Sequence, residues 1–286
     1  MKKYLISENG NFYKANMHCH STWSDGTYSP EELKALYKEQ GYSVLSITDH
    51  NGLFSHYDLD DEDFITITGY EWQFDETHGP DYADCITTHI CAYAKDKENY
   101  RQPGFNPELR FAKMRWTVND ELRALARPMD DTPFAKTREP EKVNDAIKRL
   151  HDNGFIVTYN HPAWSQEDYE TYMNYTEVDN LEIYNHGCFL AGYDEHNGKE
   201  YDHMLRKNIR VKCVCADDNH TPHDMFGGFT TFKAEKLEYS CIMDAFEKGN
   251  FYSSTGPEIT KLYIEDGKVF IETKEPVDFF RMLTGR

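Results

Sequence analysis

The sequence predicts an α/β fold in which short strands alternate with helices around a mainly parallel sheet. Apolar runs of strand length recur along most of the chain, and the segments between them carry helical spacing with recognisable starts and stops. Histidines and acidic residues gather at the ends of those runs rather than scattering. The chain's 286 residues allow one large or two small domains at roughly 150 residues per domain. At that size a core forms without disulfide help. Hydrophobic residues at 39% and charged residues at 28% give an ordinary globular balance.

The strands are expected at 14–19, 43–48, 64–70, 86–93, 155–160, 180–184 and 210–216, with a weaker one at 251–253. The first helix is well punctuated. Ser29 is its N-cap, Pro30 takes the first helical position, Glu32 completes a capping box, and Gly41 ends it. Leu33, Leu36 and Tyr37 form its apolar stripe. A second helix over 139–153 repeats Val143, Ala146, Ile147 and Leu150 at helical spacing before Gly154. A third over 237–248 does the same with Ile242, Ala245 and Phe246 before Gly249.

Between about 95 and 138 the rhythm fails. This stretch is polar, carries four prolines, and holds Arg101, Arg110, Arg115, Arg123, Arg127 and Arg138; only 117–126 reads as a helix. A segment this long is a functional insertion or a disordered one. It follows the strand bearing His89, so it is expected to act as a lid. It looks too polar to build a core of its own. Arginine binds phosphate through a planar fork, so Arg110, Arg115, Arg127 or Arg138 is expected to reach a substrate phosphate. After Gly256–Pro257, the run ITKLYIEDGKVFIET reads as a hairpin around Asp266–Gly267. The expected division is a main domain over 1–258 and a small β appendage over 259–286.

No apolar run approaches the roughly 18 residues of a membrane span, and mean hydropathy is −0.78. The N-terminus lacks an apolar signal core. Seven cysteines, an odd number with no C-x-x-C, point to a reducing compartment and a cytoplasmic protein. A net charge of −19 repels long nucleic acids.

The chemistry sits at strand ends. His18-Cys19-His20 closes the first strand, and alternation puts both imidazoles on one face within chelating reach. Asp25 follows in a Ser-Asp-Gly turn. Asp49-His50 ends the second strand, Glu71 the third, and His161 the fifth; the fourth carries His89, and Asp218-Asn219-His220 ends the seventh. In a closed parallel barrel these ends converge on one face, and imidazoles with carboxylates suit a hydrolytic divalent metal. Asp49, Asn160, Glu182 and Asn185 read as supports for those ligands. Aromatic residues beside the motifs, Trp164 among them, read as core and pocket wall. The remaining histidines, His56, His78, His151, His186, His196, His203 and His223, read mostly as surface residues; His186 and His223 stand out because each closely follows a strand-end motif.

The ordered set MHCHSTWSDGTYSPEEL, VLSITDHNGL, GYEW, HICAYA, NHPAW, EIYN, ADDNH and FYSSTGPEI resembles the PHP (polymerase and histidinol phosphatase) family of metal-dependent phosphoesterases. The resemblance spans about 15–258 and is broken by the insertion. It implies a distorted (β/α)7 TIM-like barrel with two or three divalent ions at its C-terminal mouth. His18, His20, Glu71 and Asp218 would hold the first ion. Glu71 would bridge to the second with His89 and His161. Asp25, His50 and His220 would hold the third. Aspartate at position 25, where many members carry histidine, favours manganese or iron somewhat over zinc.

The reaction expected of this machinery is hydrolysis of a small phosphate monoester, a phosphorylated metabolite or nucleotide, by a hydroxide shared between two ions. His186 is the expected acid for the leaving alkoxide, and Ser254 in the Ser-Ser-Thr-Gly run is a candidate substrate contact. Three alternatives are weighed. A phosphodiesterase or exonuclease on nucleotides or short oligonucleotides uses the same metal chemistry. A C–N hydrolase would carry a bridging lysine and a lone aspartate where Glu71 and Asp-x-His stand. A metal-stabilised binding barrel would not need the complete ligand set. Oligomeric state is not legible.

Overall fold

The computed structural model describes residues 2–77, 85–129 and 137–282. His78, residues 130–136 of the insertion and Arg286 lie outside them. The strands are β1 (Lys2–Tyr4), β2 (Asn11–Asn16), β3 (Val44–Leu45), β4 (Ile65–Thr66), β5 (Gly69–Thr77), β6 (Cys85–Ala94) and β7 (Phe155–Tyr159). They continue as β8 (Asn180–Asn185), β9 (Lys212–Ala216), β10 (Phe229–Ala234), β11 (Phe251–Ser254), β12 (Ile259–Glu265) and β13 (Lys268–Thr273). The fold is mixed α/β. One sheet runs β11-β10-β2-β3-β4 and another β5-β6-β7-β8-β9. The two are separate ladders, linked by isolated parallel bridges at Cys19–Asn219 and at His50–Glu71.

The sheets are less parallel than the sequence suggests. β2, β3 and β4 pair in parallel, as do β7, β8 and β9, but β6 runs antiparallel to both β5 and β7. Only residues 78–84 separate β5 from β6, and a parallel crossover needs a dozen or more. β10 was not expected. It lies antiparallel between β2 and β11, and its sequence, FTTFKA after Gly227-Gly228, is entirely buried.

The helices are α1 (Pro30–Glu39), α2 (Asp120–Arg123), α3 (Pro140–Asp152), α4 (Tyr169–Tyr172), α5 (His186–Leu190), α6 (Gly198–Arg206) and α7 (Tyr239–Lys248). The capping box of α1 is present: Glu32 N–H donates to Ser29 Oγ at 3.3 Å and Ser29 N–H to Glu32 Oε2 at 2.8 Å. Val143, Ala146, Ile147 and Leu150 of α3 are buried in one core cluster, and Ile242, Ala245 and Phe246 of α7 in another. The short α4 and α5 carry too few residues to show a period, and α6 is mostly polar. The predicted hairpin forms as β12–β13, and β1 adds a third strand to it, with Lys3 opposite Ile264. No helix among the described residues is long and apolar enough to cross a membrane.

The insertion, contrary to expectation, has an apolar anchor. Phe105, Met114 and Trp116 pack with Phe54, with Trp23 and Leu122 beside them. Trp116 is fully buried, and its indole N–H donates to the His50 carbonyl at 2.9 Å. Gln102 ties the same segment down: its side chain accepts from Leu53 N–H and donates to the Asn51 carbonyl. One tryptophan among so many polar residues carries no periodic signal, which is why the docking was not legible.

Trp116→Ala should therefore cost about 3–5 kcal/mol, read as a shift in the urea unfolding midpoint. Leu125→Ala, at a 46% exposed position in the same segment, should stay within about 0.5 kcal/mol. Equal effects would mean that the insertion is not held by Trp116.

Candidate metal centre

Six strands or strand ends aim polar side chains at one point. His18 and His20 follow β2, with Cys19 turned the other way into the core under α1. His50 follows β3, Glu71 lies in β5, His89 in β6, His161 follows β7, and Asp218 and His220 follow β9. Asp218 and His161 both have positive φ, 51° and 24°. That left-handed backbone is strained for residues with a Cβ, and such strain collects at functional sites.

The groups lie at ligand spacing. His18 Nε2 is 3.2 Å from His20 Nε2, 3.2 Å from Asp218 Oδ1 and 3.3 Å from Glu71 Oε1. His20 Nε2 is 3.0 Å from Asp218 Oδ1 and 3.3 Å from Glu71 Oε2. Ligands about 2.1 Å from a tetrahedral ion are about 3.4 Å from one another, so these edges fit one ion among His18, His20, Glu71 and Asp218. The second group is His50, Glu71 and His89. His161 Nε2 stands beside it, 3.0 Å from Glu71 Oε1. The third group is Asp25, His50, His220 and, unexpectedly, His20. Its edges are looser, 3.5 to 3.8 Å from the Asp25 oxygens to His220, His50 and His20.

The donor atoms fit cations for a second reason. Asp25 Oδ1, His50 Nδ1, Glu71 Oε2, His89 Nε2 and Asp218 Oδ1 are buried without a hydrogen-bond partner. Buried polar atoms are almost always satisfied; others lie elsewhere among the described residues, but these five fall in one cluster of facing donors and acceptors. Divalent ions would satisfy them together.

A second layer orients the first. Glu182, fully buried, accepts from His18 Nδ1 at 2.7 Å, which turns His18 Nε2 towards Glu71 and Asp218. The same carboxylate accepts from the His161 N–H and from Asn185 Nδ2. Asn185 also donates to Asp218 Oδ2 at 3.1 Å, and Asn160 to Glu71 Oε1 at 3.0 Å. Asp49 faces away from the cluster and organises the turn bearing Asp25, accepting from the backbone and hydroxyls of Ser21 and Ser24.

The electrostatics are those of a ligand sphere. Burial disfavours charge on His89 and His220 and holds both below the ordinary histidine value. Against the same burial, Asp218, Glu71 and Glu182 hold His18 and His20 well above the usual histidine range and His161 at about 9. Burial likewise opposes ionisation of Glu71 and Asp218, yet the imidazoles hold both well below the usual carboxylate range. On protein groups alone, protons balance the carboxylates; ions that bind here must displace them.

A cavity of about 340 Å³ opens over the cluster. Several residues singled out by sequence do not line it. Arg110 and Arg127 donate to carbonyls of their own turns. Arg115 donates to the carbonyls of Thr22 and Gly26, and Arg138 acts on Glu167. All four arginines are thus used within the fold. Ser254 accepts from Gly256 N–H and donates to the Pro257 carbonyl, closing its own turn. His186 Nδ1 pairs with the Tyr184 hydroxyl at 2.8 Å beside Gly227, outside the cavity. Lys113, Phe111, Met114, Trp164 and His223 line it instead. His223 carried a signal, its closeness to Asp-x-His; Lys113 carried none, since one lysine in a polar insertion resembles any surface charge. His56 is another departure: expected at the surface, it is buried against Trp23.

The model of the PHP domain matches residues 16–206. Over 95 residues, 31% of this chain and 8% of the relative, the sequence is 33% identical to the error-prone DNA polymerase of Cutibacterium acnes. Over 38 residues, 13% of this chain and 7% of the relative, it is 45% identical to the DNA polymerase/3'-5' exonuclease PolX of Bacillus subtilis. The chain thus spans less than a tenth of either curated relative. Among solved structures, a two-domain protein of Bacteroides vulgatus containing a predicted PHP-like metal-dependent phosphoesterase superposes with a TM-score of 0.52 at 15% identity. That match covers 88% of this chain and 68% of the other.

Protein purified without chelator should carry two or three transition-metal ions per chain by elemental analysis, and chelation should lower its Tm. Glu71→Ala should lose most of the metal, and Glu182→Gln should weaken metal affinity by about 10–100-fold. His203→Ala, whose ring pairs with the Tyr172 hydroxyl instead, should bind metal as the parent does. One ion or none, with no uptake on titration, would sink the multinuclear reading.

Metal uptake should release protons into unbuffered solution, and affinity should fall as pH falls. The sign follows from the raised histidines: below about 9 His161 holds a proton that a cation must remove. Affinity that stayed level from pH 9 to pH 6 would show that the imidazoles are not the ligands.

Proposed function

The chain belongs to the PHP domain family, and from that premise we propose that it hydrolyses a small-molecule phosphate monoester in a metal-dependent reaction. The observation that carries the reading is the cluster of orphaned donor atoms around Glu71, spaced for two or three divalent ions, manganese, iron or zinc. When bound, such ions neutralise phosphoryl oxygens and bring the pKa of water towards neutrality.

The chain's own residues do the rest. Glu71 has one carboxylate oxygen facing His18, His89 and His161 and the other facing His20 and His50, and it belongs to two of the ligand groups, so it would be the residue shared between two ions. Glu182 fixes the His18 tautomer, and Asn160 and Asn185 stop Glu71 and Asp218 from rotating. Trp164 and Met114 cover part of the cavity and exclude water. His223, at the rim with Asp224, replaces His186 as the residue placed to protonate a leaving alkoxide. Lys113 replaces the insertion's arginines as the cation facing the substrate. The bridges at Cys19–Asn219 and His50–Glu71 support reading the two five-stranded sheets as parts of one distorted barrel, with residues 259–286 as an appendage. The free cysteines support a reducing, cytoplasmic setting.

A phosphodiesterase or exonuclease is the second reading. It is favoured by the short match to a protein named as a 3'-5' exonuclease. Against it stands the net charge of −19, which disfavours a polyanion.

Release of the leaving alcohol from matched monoesters and diesters that share that alcohol, with Mn²⁺, Fe²⁺ and Zn²⁺ in turn, separates the two. Monoesters should win by at least tenfold in kcat/KM; a reversed preference would establish the diester reading. Lys113→Ala should raise KM about tenfold, the weight of one charge-assisted hydrogen bond, with metal content unchanged. Wild-type KM in that variant would remove Lys113 from the substrate site.

A further inference from the structure

On the hydrolytic reading of the metal centre, we propose that the leaving group of its phosphate ester is a flat apolar ring, seated between the insertion and α5. The cavity of about 340 Å³ falls in the range of small-molecule sites and exceeds what a phosphoryl group fills. Its floor is Glu71, Asp218 and the ligand histidines, which take the phosphoryl end.

The walls have a different chemistry. Phe111 and Met114 come from the insertion, Leu190 and Ala191 from the end of α5, and Trp164 from the turn after His161. Phe111 and Leu190 are each 39% exposed, although Phe105, Trp116 and Met114 of the same insertion are covered. A lone exposed hydrophobe needs no explanation. Two that line one cavity, above a metal-type floor, make an apolar collar around the only part of the substrate that floor leaves unbound.

The collar is also held in place. The Trp164 backbone N–H donates to Glu195 Oε1 at 2.5 Å, fixing the main chain from which the indole projects, and that buried carboxylate accepts from Asn197 at 2.7 Å. The indole stands 4.9 Å from the His161 ring and 5.2 Å from the His89 ring. Its plane is therefore set by the ligands before any substrate enters, and rings prefer tilted or offset contact with such a surface. A polyhydroxyl leaving group could pair some hydroxyls with Lys113, His223 or Asp224 but would set the others against Phe111, Met114 and Leu190, where they lose water without gaining partners.

Benzyl phosphate and ethyl phosphate test this, since their leaving alcohols have similar acidity and differ in the ring. With the metal-loaded full chain, kcat/KM for benzyl phosphate should exceed that for ethyl phosphate at least tenfold. Phe111→Ala and Leu190→Ala, each checked for parental metal content, should bring that ratio towards one. A wild-type ratio near one, with both esters turned over, overturns the aromatic assignment and leaves the hydrolytic reading standing. A ratio that survives both substitutions overturns it equally. Turnover of neither ester counts against hydrolysis. Calorimetric titration with benzylphosphonate and ethylphosphonate then decides the collar: tenfold tighter binding of the benzyl compound supports it, and equal binding overturns it.

Discussion

Everything in this molecule answers to a carboxylate in the wrong place. Glu71 is fully buried in the middle of a strand, and Asp218 and Glu182 are buried within reach of the same imidazoles. Removing one such charge from water costs several kcal/mol even after the protein relaxes. Hydrophobic packing cannot recover that locally, so the fold must supply positive charge at the spot. It does so with histidines drawn from five strands or strand ends. Imidazole is the suitable residue, because it accepts a proton or yields it to an ion over an ordinary pH range. The sheets are the means of bringing sequence-distant residues to this one charge, and the backbone bends to left-handed φ at His161 and Asp218 to complete the approach.

That requirement explains features that look unrelated. β6 runs against the direction of the parallel strands, yet His89 still reaches Glu71, because it sits within the strand and not at its end. The loop of Ser21 to Asp25 is closed by Asp49 through four hydrogen bonds, which keeps Asp25 opposite His50 and His220. Trp116 binds the His50 carbonyl, so the insertion is anchored on the backbone of a candidate ligand residue. An element far from the centre in sequence is thus tied to it by a buried indole, with Gln102 and Arg115 beside it.

How much of this the sequence discloses depends on how local the cause is. The cap of α1 and the stripes of α3 and α7 are written in consecutive residues and are legible. So are the strand-end histidines and acids that the fold brings together, because such a residue in an unfavourable apolar setting is conspicuous wherever it stands. The antiparallel turn of β6 follows from the short 78–84 connection, a signal available in the sequence but outweighed by the βα rhythm around it. β10 is obscured for a different reason. Its threonines are buried between two strands, and no alternation marks a strand covered on both faces. The fate of the arginines was not legible at all. Arg110, Arg115 and Arg127 spend their donors on nearby backbone carbonyls, and only tertiary structure decides whether a guanidinium meets a carbonyl or a ligand. Lys113 and Phe111 reach the cavity because Trp116 fixes the segment beside them.

The overall charge then bears on which substrate can be served. A chain at −19 repels every phosphate ester at long range, so attraction must come from the site itself and act at short range. A monoester dianion gains more from a cluster of cations than a diester monoanion does, because the Coulomb term scales with its charge. It also ends at the phosphorus, so nothing need continue past the metal floor. A diester carries a second substituent, which would have to leave along the opposite wall. Lys113, His223 and Asp224 line the cavity together with the apolar collar, which leaves little room for it. On the proposed reading, charge and shape would act together: a doubly charged phosphate at the metal floor and its leaving group towards the collar.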